Sequence, residues 1–181
     1  MRLVSDCVVL SSRSGWMSRG GLEARLGGML WLLPSDVGNA VDAFSVLTSA
    51  ALAGVLHAAG VLHDKMLRSM AIDVVDAVFA PKAHAASLIL AAMPRATLDV
   101  MGLFSSLAST FGNIGQGNYA AANGALDGAA LCAATCGTVS TSVQWGAWGG
   151  AGMALQDPST MLRMERTGMG MLAPHEGMQV M

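Results

Sequence analysis

Short apolar runs ending in polar, glycine-bearing loops alternate along this chain with longer stretches of helical periodicity. Cys7 to Leu10 is an apolar run that passes into Ser11-Ser12-Arg13-Ser14-Gly15, the pattern of a buried strand entering a polar loop. A helix is expected near Leu22 to Leu26. Gly28 to Leu33 is a second apolar run, stopped by Pro34. Ser35 or Asp36 is placed to cap a helix over about Val37 to Ser49. Gly54 to His57 reads as a third strand, closed by Ala58-Ala59-Gly60. A long helix with few breakers follows from about Lys65 to Ala92, with Pro81 as its point of interruption. Leu98 to Phe104 is a fourth strand that ends in Ser105-Ser106. A glycine-rich loop, Gly112 to Gly117, separates it from an Ala-rich helix, Asn118 to Ala134. Thr138 to Trp145 carries the β-branched residues of a fifth strand, and Gly146 to Gly152 is a loop. Leu155 to Met181 reads as two short helices around Pro174.

Strand and helix thus alternate five times with short connections, which argues an α/β fold with a parallel sheet covered by helices on both faces. In such sheets ligands bind beyond the carboxyl ends of the strands. Arg13, Asp36, Gly60, Ser106 and the loop after Trp145 all fall at such ends, so the polar residues converge on one edge.

Composition narrows the picture. The 181 residues suit one domain, and with 53% apolar and 12% charged residues the chain has a core to bury. A net charge of −2 with no basic block leaves no footprint for nucleic acid. The first residues meet a charge too early for a signal peptide, and the apolar tract from Ala50 to Leu62 falls short of the roughly 20 residues of a membrane span. Cys7, Cys132 and Cys136 form no metal or disulfide pattern, and His57, His84 and His175 lack ligand spacing. No metal is expected, and a reduced, cytoplasmic setting is.

The chemistry concentrates between Phe104 and Asn123. Tyr119, the single tyrosine, opens a helix, and Asn123 lies one turn on along the same face. Ser106 ends the preceding strand, and Lys82 comes from the long helix before it. A tyrosine beside a lysine and a serine can act as a general acid. The lysine cation is expected to lower a phenol pKa that is otherwise about 10, while the serine hydroxyl polarises a carbonyl.

These segments resemble the ketoreductase domain of modular polyketide synthases, within the short-chain dehydrogenase/reductase superfamily, and more distantly that of animal-type fatty acid synthases. The resemblance runs from Leu10-Ser11-Ser12-Arg13-Ser14-Gly15 through His57-Ala58-Ala59-Gly60-Val61, Pro81-Lys82 and Phe104-Ser105-Ser106. It continues through Gln116-Gly117-Asn118-Tyr119-Ala120-Ala121-Ala122-Asn123 to Trp145-Gly146-Ala147-Trp148 and Met153-Ala154. Most short-chain dehydrogenases place lysine four residues after the tyrosine, where this chain has Asn123. In the ketoreductases the lysine and asparagine exchange sequence positions, and Lys82 with Asn123 fits that exchange. The resemblance implies that Ser106 and Tyr119 act on the carbonyl, that Lys82 holds the nicotinamide ribose and tunes Tyr119, and that Asn123 supports proton relay.

It also implies NADPH as cofactor. An arginine after the second strand of a Rossmann-type sheet accepts the 2′-phosphate of NADP where an acidic residue would favour NAD, and Arg13 with Ser14 takes that place. Asp36 and Val37 resemble the family's adenine-contacting pair, and Ala59 and Gly60 let the backbone approach the cofactor closely. Leu62-His63-Asp64 resembles the Leu-Asp-Asp of the ketoreductases that yield the D-configured alcohol. The opposite type usually carries tryptophan where this chain has Phe111.

The function so implied is NADPH-dependent reduction of a β-ketoacyl thioester, carried on an acyl carrier protein, in polyketide or fatty acid synthesis. The partners would be other synthase domains and the carrier protein. A Rossmann-type domain opens with a strand and a Gly-rich turn that cradles the pyrophosphate. Gly15 and Gly20-Gly21 do not reproduce that fingerprint. Residues 1–181 are therefore expected to form a partial, Rossmann-type doubly wound domain lacking the first strand and Gly-rich loop. An inactive remnant serving as a structural or interaction module is the alternative.

Overall fold

A computed structural model of the chain describes residues 8–14, 30–48, 52–93, 98–149, 168 and 170–180. Five strands, all in parallel pairings, alternate with helices as the pattern predicts. β1 (Val8–Ser12) leads, through residues not described, to β2 (Leu30–Pro34), α1 (Ala40–Thr48) and β3 (Gly54–His57). A short 3₁₀ turn (Leu67–Ser69) precedes α2 (Ile72–Phe79), which runs through a π-turn (Ala80–His84) into α3 (Ala85–Ala92). Then come β4 (Val100–Ser106), α4 (Ala108–Phe111), α5 (Gly117–Thr135), β5 (Ser140–Trp145) and α6 (Pro174–Val180). The helices expected near Leu22 to Leu26 and in the first part of Leu155 to Met181 lie outside the described residues.

Three local differences from the sequence reading have physical causes. The long helix begins at Ile72 rather than Lys65, because Lys65 donates its backbone N–H to Gly115 O (2.8 Å) and so pairs with the loop before α5. Pro81 does not end that helix. A proline ring crowds the carbonyl four residues back, and the widened π-turn absorbs the conflict. Neither Ser35 nor Asp36 caps α1; the Asn39 side chain accepts from Val41 N (2.9 Å) and Asp42 N (3.3 Å).

The sheet is divided into two pieces, a pair β1-β2 and a triplet β3-β4-β5. In a Rossmann-type sheet of order 3-2-1-4-5-6, the strand that carries the Gly-rich turn lies between the second and fourth. β1 and β3 take those two places, so the division falls where that strand belongs, and no strand among the described residues fills it. On β3, beside that gap, Leu56 is 62% exposed.

β4 is central to the triplet and alternates strictly, burying Met101, Leu103 and Ser105. Met101 and Leu103 join Leu47 of α1, Ala86 and Ile89 of α3, Met93, and Leu126 and Ala130 of α5 in one core. At roughly 1.5–3 kcal/mol for each fully buried large apolar side chain, this cluster dominates the packing. α5 contributes through a four-residue repeat of buried positions, Asn118, Ala122, Leu126 and Ala130. Residues Ile72–Ala92 are long and apolar enough to cross a membrane by length and composition. Val78, Ala85, Ala86 and Ile89 are nevertheless buried in the protein, as in a core helix.

Candidate active site

The carboxyl ends of β3, β4 and β5 open onto a cavity of about 540 Å³. Gly60 follows β3, Ser106 ends β4, and Trp145 and Gly146 end β5. Lys82 and Tyr119 reach the same space from the π-turn and the first turn of α5. Phe104, Trp145 and Trp148 form an aromatic wall, with successive ring centroids 5.4 and 4.9 Å apart.

Lys82 is 2% exposed. The π-turn carries its side chain inward, where Nζ donates to Phe104 O (3.0 Å) and lies 5.4 Å from the centre of the Tyr119 ring. That is cation–π distance. Its backbone carbonyl is held by His57 Nε2 at 3.1 Å; a carbonyl only accepts, so Nε2 carries the proton. Burial brings the Lys82 ammonium down to about 8, with the Asp127 carboxylate opposing the fall. Burial also lowers the His57 pKa, against the hydrogen bond to Lys82 O that raises it.

Gly60 is required by this packing. A Cβ there would stand 2.7 Å from Lys82 Cε and 3.3 Å from Nζ. Without a Cβ, the Gly60 backbone lies directly against the Lys82 side chain.

The Tyr119 phenol behaves differently from the sequence expectation. Burial raises its pKa, and the neighbouring Ser106 and Asn123 side chains only partly offset that rise. The Lys82 ammonium lies over the ring and is bonded to Phe104 O. A phenol held above its usual range stays protonated at neutral pH, which is the form a proton donor needs.

Ser106 Oγ accepts from Ala108 N (3.2 Å), the first turn of α4, leaving its own proton free to donate. Asn123 is fully buried; its Nδ2 donates to Tyr119 O (2.8 Å), while Oδ1 has no partner among the described residues. The four residues singled out in the sequence thus converge.

The nucleotide-binding set is spread along the same sheet edge but does not line the cavity, Gly60 excepted. Arg13 and Ser14 form an exposed turn after β1. Asp36 Oδ1 accepts from Gly38 N (3.0 Å), and Val37 is half-buried in the turn before α1. Ala59 follows β3. The glycines at 15, 20 and 21 lie outside the described residues. The nicotinamide-ribose end of a dinucleotide fits what is present: Lys82 uses one of three N–H donors on Phe104 O, beside a glycine that leaves room.

Leu62 and Phe111 line the cavity, His63 is exposed, and the Asp64 carboxylate accepts from Gln116 Nε2 (3.1 Å to each oxygen). Asn118 Nδ2 donates to His63 O (3.0 Å), fastening this segment to the start of α5.

Sequence reasoning missed Asp127. It stands four residues beyond Asn123 and eight beyond Tyr119, on the same side of α5. Its Oδ2 accepts from Ser109 Oγ (2.7 Å) and Gln144 Nε2 (2.9 Å), and Oδ1 from Ser142 Oγ (2.6 Å). Burial alone would raise this carboxyl; the bonds from Ser142, Ser109, Gln144 and Ser105 outweigh it and hold the pKa below its ordinary value. The four-residue spacing was the available signal.

Residues 7–150 match the KR domain family. The chain is 40% identical to the polyketide synthase GfsA of Streptomyces halstedii over 89% of its own length and 2% of that protein. It is 32% identical to Pks1 of Mycobacterium tuberculosis, a phenolphthiocerol synthesis polyketide synthase whose name marks it as inactive, over 96% of this chain and 11% of that one. Among solved structures, A-type ketoreductases from a modular polyketide synthase superpose with a TM-score of 0.87 and 33% identity. That match covers 96% of this chain and 38% of theirs. The chain therefore spans a small part of each relative.

Proposed function

The chain belongs to the KR domain family, the ketoreductases of modular polyketide synthases, and on that premise we propose that it reduces a β-ketoacyl thioester to the β-hydroxyacyl thioester with NADPH. The observation that carries the reading is the meeting of Lys82, Ser106 and Tyr119 in one cavity at the carboxyl ends of three parallel strands.

NADPH, when bound, supplies a hydride to the β-carbonyl carbon. Ser106 Oγ donates a hydrogen bond to the carbonyl oxygen, its lone pairs engaged by Ala108 N–H. The Tyr119 hydroxyl gives its proton to the oxygen as it becomes an alkoxide. Lys82 keeps its charge over the Tyr119 ring and offers its remaining N–H groups to the nicotinamide ribose. The unpaired Asn123 Oδ1 is an acceptor that would hold the water or hydroxyl from which a proton returns to Tyr119. The aromatic wall excludes water from one side of the cavity, which strengthens these interactions. Arg13 and Ser14 would hold the 2′-phosphate, and Asp36, Val37 and Ala59 the adenosine end. The acyl group would arrive on an acyl carrier protein, within a synthase in the cytoplasm.

The test is NADPH consumption by the chain with a β-ketoacyl N-acetylcysteamine thioester, with Tyr119→Phe as the control. The expected loss in kcat is about 10²–10⁴-fold, with KM little changed. Equal rates for the two proteins would overturn the reading. The product's configuration is read in the same assay by chiral chromatography, with the D form expected from the Leu62-His63-Asp64 segment.

A second reading, an inactive module with structural or docking duties, draws on the relative whose name marks it inactive. It predicts a folded chain that leaves NADPH untouched.

A further inference from the structure

We propose that Asp127 is a positioning residue for the reaction, acting through Ser109 and Gln144 to hold the turn that sets the Ser106 hydroxyl against Tyr119. The inference rests on the ketoreductase reading above and deepens it.

The geometry is a three-way clamp. Asp127 projects from α5, two turns beyond Tyr119. Ser109 belongs to α4, the short helix that begins directly after Ser106 and Leu107. Ser142 and Gln144 belong to β5, beside β4 in the sheet. All three donate to the one carboxylate. Gln144 Nε2 also donates to Ser109 Oγ (2.9 Å), and its Oε1 accepts from Thr110 Oγ1 (2.9 Å), so two successive α4 side chains are tied to β5.

Ser109 has one hydroxyl proton and two acceptors in reach, Asp127 Oδ2 at 2.7 Å and Ser106 O at 2.9 Å. The charged acceptor takes it, since hydrogen bonds to a carboxylate are about twice as strong as neutral ones. This choice draws α4 toward α5. The Ala108 N–H that orients Ser106 Oγ lies in the same turn, and Phe111 and Gly112 beyond it line the cavity. Nothing in the clamp touches the substrate's place. Asp127 acts only through others.

Lys82 from the π-turn lies over the Tyr119 ring, and His57 on β3 holds the Lys82 carbonyl; Asp127 stands two turns further along α5, and Asp64 holds Gln116. Losing the Asp127 charge therefore removes support from the Lys82 ammonium as well as from Ser106.

The test compares wild type with Asp127→Asn and with Ser109→Ala, which cuts the clamp only at α4 and keeps the Asp127 charge. Two readouts are taken. The first is the kcat and KM of β-ketoacyl thioester reduction with NADPH. The second is the phenolate absorbance of Tyr119, the single tyrosine, followed against pH with no cofactor present. We expect kcat to fall about tenfold with KM within about twofold, and the Tyr119 midpoint to move up by about one pH unit in Ser109→Ala, where the Ser106 hydrogen bond that lowers it is loosened while the Asp127 charge is kept. A fall in stability alone, with kcat and the Tyr119 midpoint unchanged, would overturn the inference. Should wild type reduce nothing, the ketoreductase reading fails, and the Tyr119 midpoint still decides whether Asp127 positions the pair.

Discussion

Replacing Lys82 with methionine should make the protein more stable at neutral pH while removing its activity. Lys82 is 2% exposed and titrates near 8, against an ordinary lysine value of 10.5. At about 1.36 kcal/mol for each pH unit, that difference amounts to roughly 3 kcal/mol. Its sign follows from proton counting. Between about pH 8 and 10.5 the unfolded chain keeps the Lys82 proton and the folded chain has lost it, so folding grows stronger as pH rises. Below 8 the folded protein must carry a desolvated ammonium, and the penalty is fully present. Methionine fills nearly the same volume with nothing to ionise. Urea denaturation of wild type and Lys82→Met at matched pH values from about 7 to 10 gives the comparison. The advantage of the methionine variant should shrink by about 2–3 kcal/mol over that range. Parallel stability curves would refute the reasoning, since Lys82 would then be no harder to charge in the fold than in the unfolded chain. The variant should lose the Phe104 O and ring contacts together, and with them NADPH oxidation.

Two further outcomes follow from the same geometry. Gly60→Ala places a methyl 2.7 Å from Lys82 Cε, and the ammonium must leave either Phe104 O or the Tyr119 ring; a roughly tenfold loss in kcat/KM is expected in the thioester assay, and an unchanged value would mean the Lys82 stem yields freely. Arg13→Ala should weaken NADPH binding about 10–100-fold while leaving NADH binding alone, as a lost charge-assisted contact to a 2′-phosphate requires; nicotinamide fluorescence titration reads both constants.

Much of this was legible in the sequence because each element carried its own local signal. Apolar runs closed by serine, proline or glycine marked all five strands, and Gly54 to His57 matched to the residue. Tyr119 and Asn123 were legible from helical spacing. What escaped was set by contacts across the chain. The start of α2 moved because Lys65 N–H found Gly115 O, 50 residues on. The short helix Ala108–Phe111 has no periodicity to announce it and stands through Asp127, on another element. The pKa of Tyr119 could not be read from the mere presence of Lys82, because the outcome depends on whether the ammonium meets the oxygen or the ring.

The division of the sheet separates two jobs that the sequence presents as one. Ser106, Tyr119, Asn123 and Lys82 sit on β4, α5 and the π-turn, and those elements share a core of Met101, Leu103, Ala86, Ile89, Leu126 and Ala130. Every neighbour that orients them, His57, Phe104, Asp127 and Gln144 included, belongs to the β3-β4-β5 side. Arg13 and Asp36 lie instead on or beside the β1-β2 pair, which reaches that core through Leu47 of α1, packed on α3. On the proposed reading the proton-transfer geometry rests on this dense packing, whereas Arg13 and Asp36 join it, among the described residues, through Leu47 and Val37. Nucleotide binding and positioning of the acid are then expected to be separable, and an Arg13 variant that loses the first should keep the second.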